Sequence, residues 1–369
     1  MNIGVLKENN DARVSLVPIT VTKLIKSGHS VCVETGAGEG AFQSDPAYTK
    51  AGATIKSRAE IIANADLLLS ISPIDANELT NSKETLAQIA LFEPFSDFEA
   101  LKPYATGQRS AFSLDMIPRT TLAQSMDVLS SMASIAGYKA VLIAANTIPA
   151  YFPMLSTAAG SIPPAKVLVL GAGVAGLQAI ATAKRLGAVV EASDVRAAAG
   201  EEVRSLGAKF LEVEGASDDK GAGGYAVEQT ADYKKRQQEL VQDRASKADV
   251  IITTAQLRGR PAPMLVPKET VDKMKPGSVI IDLAASTGGN AAYSKNGETV
   301  IVNGVKIIGD SDLSAQMPSD ASKLFSRNML NLIKHVTDKE GNLTFDLEDE
   351  IVKWSCIIHA GEIKFKPRK

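Results

Sequence analysis

Histidine and cysteine are nearly missing from this sequence. His29, His335 and His359 are the only histidines in 369 residues, and Cys32 and Cys356 the only cysteines. The two cysteines stand far apart and form no Cys-x-x-Cys pair, which excludes a disulfide framework and points to a reducing compartment. No His-Glu-x-x-His, paired-cysteine or clustered Asp/His spacing suggests a metal. Gly-x-Ser-x-Gly is absent, so nothing indicates a serine nucleophile. Each histidine has a structural reading: His29 sits in a Gly-Ser turn, His335 near a helix end where it complements the dipole, and His359 near the C-terminus. The formal net charge is only −2, which recommends neither nucleic acid nor a membrane surface as a bulk electrostatic partner. No uninterrupted apolar run reaches roughly 18 residues. The nearest approach, 140–155, is broken by Asn146, Thr147, Pro149 and Pro153. The chain is therefore expected not to insert into a bilayer and, with no secretory leader at its start, to be cytoplasmic.

What is present is a globular composition, 45% hydrophobic, and a length suited to two domains. Short apolar strands alternate with helix-period segments, the pattern of an α/β fold with parallel sheets. The first half offers strands at 3–6, 31–34, 54–56, 67–71 and 89–95, with helices at 18–27 and 58–65. The second half offers strands at 167–170, 189–193, 209–212, 250–253, 278–283 and 305–308. A long apolar helix over 127–145 reads as a connector, and a further helix covers 319–336. The C-terminal piece around Trp354 has no strand partners nearby and is expected to return to the first domain. The expected fold is thus two doubly wound, parallel-sheet, Rossmann-like domains with a cleft between them. The first domain would comprise 1–126 with 312–369, and the second 127–311.

Residues 167–196 carry the most specific signal. A strand runs into Gly171, Gly173 and Gly176, a helix follows, and a second strand ends near Asp194. This is G-x-G-x-x-G in its full strand–turn–helix–strand setting. Gly171 permits the tight turn, Gly173 lets a pyrophosphate approach the backbone, and Gly176 lets the helix pack on the strand. The free N–H groups of the helix start face the phosphates. Asp194 stands where a carboxylate accepts from a ribose 2′-OH and repels a 2′-phosphate, which favours NAD. Arg196 is close enough to blunt that preference. The glycines of 35–40 lack a following helix and read as a turn.

A dehydrogenase acting on an alcohol or amine needs a general acid–base, and no residue announces itself as one. The polar cluster at 117–140 stands out instead, with Arg119, Gln124, Asp127 and Ser130 before and at the start of the connecting helix. Asp127 and Ser130 are three apart and share a face. They could hold both polar ends of a nicotinamide carboxamide, although Asp127 also reads as a helix cap and Arg119 as its ion-pair partner. The glycine-rich segment 214–233 breaks the α/β rhythm, and Tyr225 at its tip reads either as part of a lid or as an idle surface loop.

PRTTLAQSMDVLSSMASIAGYKA, the PPAKVLVLGAGVAGLQAIATAKRLGA fingerprint, GAGGYA and VIIDLAASTGGN together resemble the NAD(H)-binding component of proton-translocating nicotinamide nucleotide transhydrogenases. The related alanine dehydrogenases share the opening with Lys7, Glu8 and Arg13. Where they carry a catalytic lysine and histidine, Ser72 and Phe95 or a neighbour stand here. The resemblance implies NAD(H) as cofactor, with Gly171, Gly173, Val174 and Gly176 at the pyrophosphate and Asp194 and Val195 at the adenosine ribose. Thr254 and Ala255 would line the pocket, and Gly224 and Tyr225 would close over the nucleotide, with Gln229 where the family often has Met. Asp127 and Ser130 would hold the carboxamide, steadied by Arg119, and Gln124 would reach the NADP(H) of a partner subunit. It also implies a homodimer docked, through NADP(H)-binding and membrane-spanning proton-channel subunits, on the inner face of the cytoplasmic membrane. An alanine-type amino-acid dehydrogenase and a non-catalytic NAD-binding module are the other readings.

Overall fold

A computed structural model of the chain describes residues 1–215 and 230–366. The chain divides into two compact units, Met1–Met132 with Ala315–Lys369, and Ala133–Ser314. The N-terminal stretch of unit 1 runs β1 (Asn2–Val5), α1 (Pro18–Lys26), β2 (Ser30–Glu34), α2 (Asp45–Lys50), β3 (Thr54–Lys56), α3 (Arg58–Asn64), β4 (Leu67–Leu69), β5 (Ala87–Ala90) and β6 (Ser110–Ser113). Helix α4 (Val128–Thr147) follows, and the division between the units falls inside it. Unit 2 continues with β7 (Leu155–Thr157), β8 (Gly160–Ile162), β9 (Lys166–Leu170), α5 (Val174–Arg185), β10 (Val189–Ser193), α6 (Ala199–Ser205) and β11 (Lys209–Phe210). It closes with α7 (Ala231–Ser246), β12 (Val250–Thr253), α8 (Lys268–Val271), β13 (Val279–Asp282), β14 (Glu298–Val302) and β15 (Val305–Gly309). The chain then returns to unit 1 as α9 (Pro318–His335), α10 (Glu350–Ser355), β16 (Cys356–His359) and β17 (Glu362–Ile363).

Unit 1 holds an eight-stranded sheet in the order β17-β16-β6-β5-β4-β1-β2-β3. From β6 to β3 it is parallel, and β16 and β17 add antiparallel at the β6 edge. Strand β6 has no counterpart in the sequence reading, because Ser110-Ala111-Phe112-Ser113 is short and half polar. Its four residues are nonetheless all buried, since the C-terminal strand pairs with it. Helix α9 closes this core with Phe325, Met329, Leu332 and Ile333, all 0% exposed. Its Ser322 and Ser326 hydroxyls accept the Val14 and Val17 amides at 2.9 and 3.0 Å, so the segment after β1 is fixed by a helix some three hundred residues away.

Unit 2 holds a seven-stranded sheet in the order β11-β10-β9-β12-β13-β15-β14, parallel except for the edge pair β14–β15. The sequence reading passed over that antiparallel edge strand and over the separate β7–β8 hairpin. The β-branched and leucine runs of β9, β12 and β13 are buried, as strands covered on both faces require. Helix α4 is long and apolar enough to cross a membrane by length and composition alone. Here its Val128 lies in the unit 1 core and its Ala140, Val141 and Ala144 in a unit 2 core, each 0% exposed.

The strand ends of unit 1 are tied by one guanidinium. Arg58, on the helix capped by Ser57 and Glu60, reaches Glu78 at 2.5 and 3.0 Å, Glu34 at 3.0 Å and the Lys7 carbonyl at 3.1 Å. Its hydrogen bond holds the Glu78 carboxyl below the usual range. A depressed carboxyl adds stability that is complete above the unfolded value and is lost as pH falls through the folded one. Glu78→Gln should therefore lower the unfolding free energy at pH 7 by roughly 0.5–1 kcal/mol, as befits a part-exposed pair. Urea titrations should show that difference shrinking below about pH 4.

Candidate functional site

In unit 2 the strand order reverses between β9 and β12, because β10 and β11 lie on one side of β9 and β12 and β13 on the other. Ligands of open α/β sheets bind at the carboxyl ends of strands at such a point. Here those ends are Gly171 and Thr254. Gly171 takes φ +100°, and a side chain on it would collide with the Thr254 hydroxyl. A side chain on Gly176 would collide with the Gly171 carbonyl. Around Gly173, by contrast, nothing lies within 4 Å of where a Cβ would stand. Gly173 is the N-cap of α5, and no side chain caps that helix. The first amides of α5 thus have neither a cap nor an obstruction, which suits an anion such as a pyrophosphate.

Asp194 and Thr254 frame this turn. The Asp194 carboxylate accepts the Ala172 amide at 2.7 Å and the Arg196 amide at 2.8 Å, and also pairs with the Arg196 guanidinium. Thr254 donates from its amide to the Leu170 carbonyl at 2.9 Å and from its hydroxyl to the Gly171 carbonyl at 3.1 Å. Val174 and Val195 are exposed, at 44% and 78%. Gly224, Tyr225 and Gln229 lie outside the described residues.

Behind Ala255 stands a network whose members the sequence reading did not assign. Asp282, at the end of β13 and 0% exposed, accepts four hydrogen bonds: from the Thr253 hydroxyl at 3.0 Å and from the amides of Ala284, Asn290 and Ala291 at 2.9, 2.8 and 3.1 Å. Asn290, also fully buried, accepts the Ala255 amide at 3.0 Å and donates to the Ala255 and Pro263 carbonyls at 2.9 and 2.8 Å. Both peptide groups of Ala255 are fixed by one side chain. The motif 279–290 was the available signal, noted for its resemblance but given no task.

Unit 1 carries the second group. Ala123 and Met126 are buried and anchor the 119–127 loop, leaving Arg119 and Gln124 exposed. Neither Arg119 nor Gln124 forms a side-chain hydrogen bond or ion pair with a described residue. Asn328 and Asn331 of α9, also absent from the sequence reading, donate to the Ser125 carbonyl at 2.9 and 3.0 Å. Asp127 precedes α4 and accepts the Ser130 amide at 2.9 Å and its hydroxyl at 2.6 Å. It is therefore a helix cap and at the same time a direct partner of Ser130.

The sheet of unit 1 has its own reversal, between β1 and β4, and that point is filled from within. Glu8 accepts the Ile71 and Ser72 amides at 2.6 and 3.2 Å, and burial raises its carboxyl above the usual value despite those bonds. All three histidines lie in unit 1. His335 meets Asp349 at 2.9 Å and His359 stacks on Phe345. Among the described residues no cluster of His, Cys, Asp or Glu could hold a metal ion.

Family models of the N-terminal and C-terminal domains of alanine dehydrogenase/PNT match residues 4–136 and 140–366. The chain belongs to the alanine dehydrogenase/PNT family. It is 45% identical to an NAD(P) transhydrogenase alpha subunit of Rhodospirillum rubrum, over 98% of this chain and 97% of that protein. A crystal structure of transhydrogenase from Sinorhizobium meliloti superposes with a TM-score of 0.90 at 41% identity, covering 98% of this chain and all of that one. Alanine dehydrogenase of Mycobacterium tuberculosis is more distant, 29% identical over 78% of this chain and 74% of its own length. Within the family the chain sides with the transhydrogenase alpha subunits, as the residues of 118–140, 163–188 and 279–290 had suggested.

The glycines separate stability from binding. Gly176→Ala should cost at least about 2 kcal/mol, because backbone must move to admit the methyl group. Gly173→Ala should unfold within about 1 kcal/mol of the parent yet bind a dinucleotide at least about tenfold more weakly. Calorimetric unfolding and titration with NADH check both outcomes.

Proposed function

We propose that the chain is the NAD(H)-binding component of a proton-translocating transhydrogenase, exchanging hydride with NADP(H) held by a partner subunit. The observation that carries this reading is the chemistry at the β9–β12 reversal. An uncapped, unobstructed helix start lies beside a pocket edge made of backbone and amide groups, and both nearby carboxylates, Asp194 and Asp282, are spent on internal hydrogen bonds. Such a place can hold a dinucleotide, and among the described residues around it both carboxylates are engaged rather than left open to shuttle a proton. A bound nicotinamide dinucleotide supplies or accepts hydride, and hydride passage between two nicotinamides moves no proton at either ring. What the protein must supply is orientation, proximity and exclusion of water.

In this reading the α5 amides and Gly173 hold the pyrophosphate, Asp194 faces the ribose, and Thr254 and Ala255 border the pocket. Asp127 and Ser130 together hold the carboxamide, with Arg119 steadying that end. Gln124, exposed and with no side-chain hydrogen bond to a described residue, is available to a nucleotide carried by another chain. Ser72 is exposed after β4, and Phe95 packs edge-on against Phe365 at 4.9 Å. Neither can deprotonate an amine at the positions where alanine dehydrogenases would. The functional assembly is a homodimer held at the inner face of the cytoplasmic membrane by NADP(H)-binding and proton-channel subunits.

Purified protein mixed with an NADP⁺-loaded transhydrogenase partner domain should oxidise NADH, and should not reduce NAD⁺ with L-alanine. Alanine-dependent reduction would overturn the proposal in favour of an amino-acid dehydrogenase. Gln124→Asn should slow hydride exchange about tenfold while leaving the dissociation constant for NADH within about twofold, since Gln124 contacts only the other nucleotide. An equal loss of NADH binding would remove Gln124 from that role.

A further inference from the structure

The carboxylate expected to take the ribose diol has no acceptor position left. Asp194 Oδ1 accepts the Arg196 amide at 2.8 Å and Arg196 Nε at 3.0 Å, while Oδ2 accepts the Ala172 amide at 2.7 Å and Arg196 Nη2 at 3.2 Å. A carboxylate offers about four such positions. Arg196 Nη2 also donates to the Ala172 carbonyl at 3.2 Å. Both peptide groups of Ala172, the residue between Gly171 and Gly173, are therefore held by the pair. The Asp194 side chain is 8% exposed, whereas that of Arg196 is 33% exposed. The guanidinium is the outer, more movable member.

We infer that Arg196 is a specificity-determining residue of this nucleotide site, covering Asp194 in the free protein and limiting how strongly its charge expels a 2′-phosphate. The inference rests on the nucleotide-binding reading above. To accept ribose hydroxyls, Asp194 must release the guanidinium while the Ala172 amide keeps the carboxylate oriented. The released cation is tethered two residues away and stays within reach of the 2′ position. A bare carboxylate there would repel a 2′-phosphate strongly in a part-buried setting. Paired with Arg196, it repels less. Arg196 thus weakens two interactions in parallel, the gain from the diol and the penalty on the phosphate. The second is a charge–charge effect and changes more when the cation is removed.

The test measures dissociation constants for NADH and NADPH by isothermal titration calorimetry on the full chain and its variants, with thermal unfolding recorded alongside. In Arg196→Ala the NADPH-to-NADH ratio of dissociation constants should rise about tenfold. Arg196→Lys, which keeps the charge without the fork, should return the ratio to within about threefold of the parent. Asp194→Asn should move the ratio the opposite way. General loosening of the turn would weaken both nucleotides together and could not produce shifts of opposite sign. A ratio that stays within about twofold in Arg196→Ala, or that falls, would overturn the inference while leaving the site intact. Failure of the parent chain to bind NADH would overturn the nucleotide-binding reading itself, and this inference with it.

Discussion

Strand β9 and helix α5 meet at Gly171 and Gly176 with no room for a carbon atom between them. The rest of the nucleotide-site geometry depends on that approach. It turns the chain sharply at the end of a buried strand and lays the uncapped amides of α5 at the edge of the sheet. It also brings Thr254, from the strand across the reversal, against the Gly171 carbonyl. The close approaches at Gly171 and Gly176 are to backbone and to the short Thr254 side chain, while the Asp194–Arg196 pair holds the Ala172 peptide groups between them. Gly173 is the exception within the triad, since a Cβ on it would meet nothing within 4 Å and that space is left open to a ligand.

The two sheets share a plan and differ in what stands at their points of reversal. In unit 1 the Glu8 carboxylate takes the amides after β4, so that crevice is satisfied by the chain itself. In unit 2 the Asp194 and Asp282 carboxylates take the Ala172 amide and the amides of the loop after β13, and α5 starts uncapped beside them. This division of labour explains how a duplicated architecture presents one nucleotide-ready edge.

Much of this was legible in the residues themselves. The fingerprint could be read because every requirement, from strand to glycines to acid, falls within thirty consecutive positions. The buried strands announced themselves by unbroken valine, isoleucine and leucine. Other features are long-range or conformational and leave little local trace. Strand β6 is half polar and makes sense only beside β16, which arrives about 240 residues later. The edge strand β14 exists because β15 folds back on it. Asn328 and Asn331 serve a carbonyl some two hundred positions away. That Arg196 would fold onto Asp194 and use up its lone pairs follows from a side-chain conformation, which no spacing rule contains. For 119–130 the sequence left two roles open for Asp127, a helix cap and a holder of a carboxamide; the geometry contains the cap, made through the Ser130 amide and hydroxyl.

The Asp282 carboxyl is 0% exposed and meets peptide amides and one hydroxyl rather than a cation among the described residues. Those groups are fixed in place and out of reach of dissolved ions. The Asp194–Arg196 pair has one member, the guanidinium, 33% exposed, and dissolved ions reach it from that side. The frame of the pocket and its outer clasp therefore obey different rules. Added salt weakens the clasp more than the frame, and the strength with which Arg196 covers Asp194 depends on the medium while the loop after β13 keeps its shape.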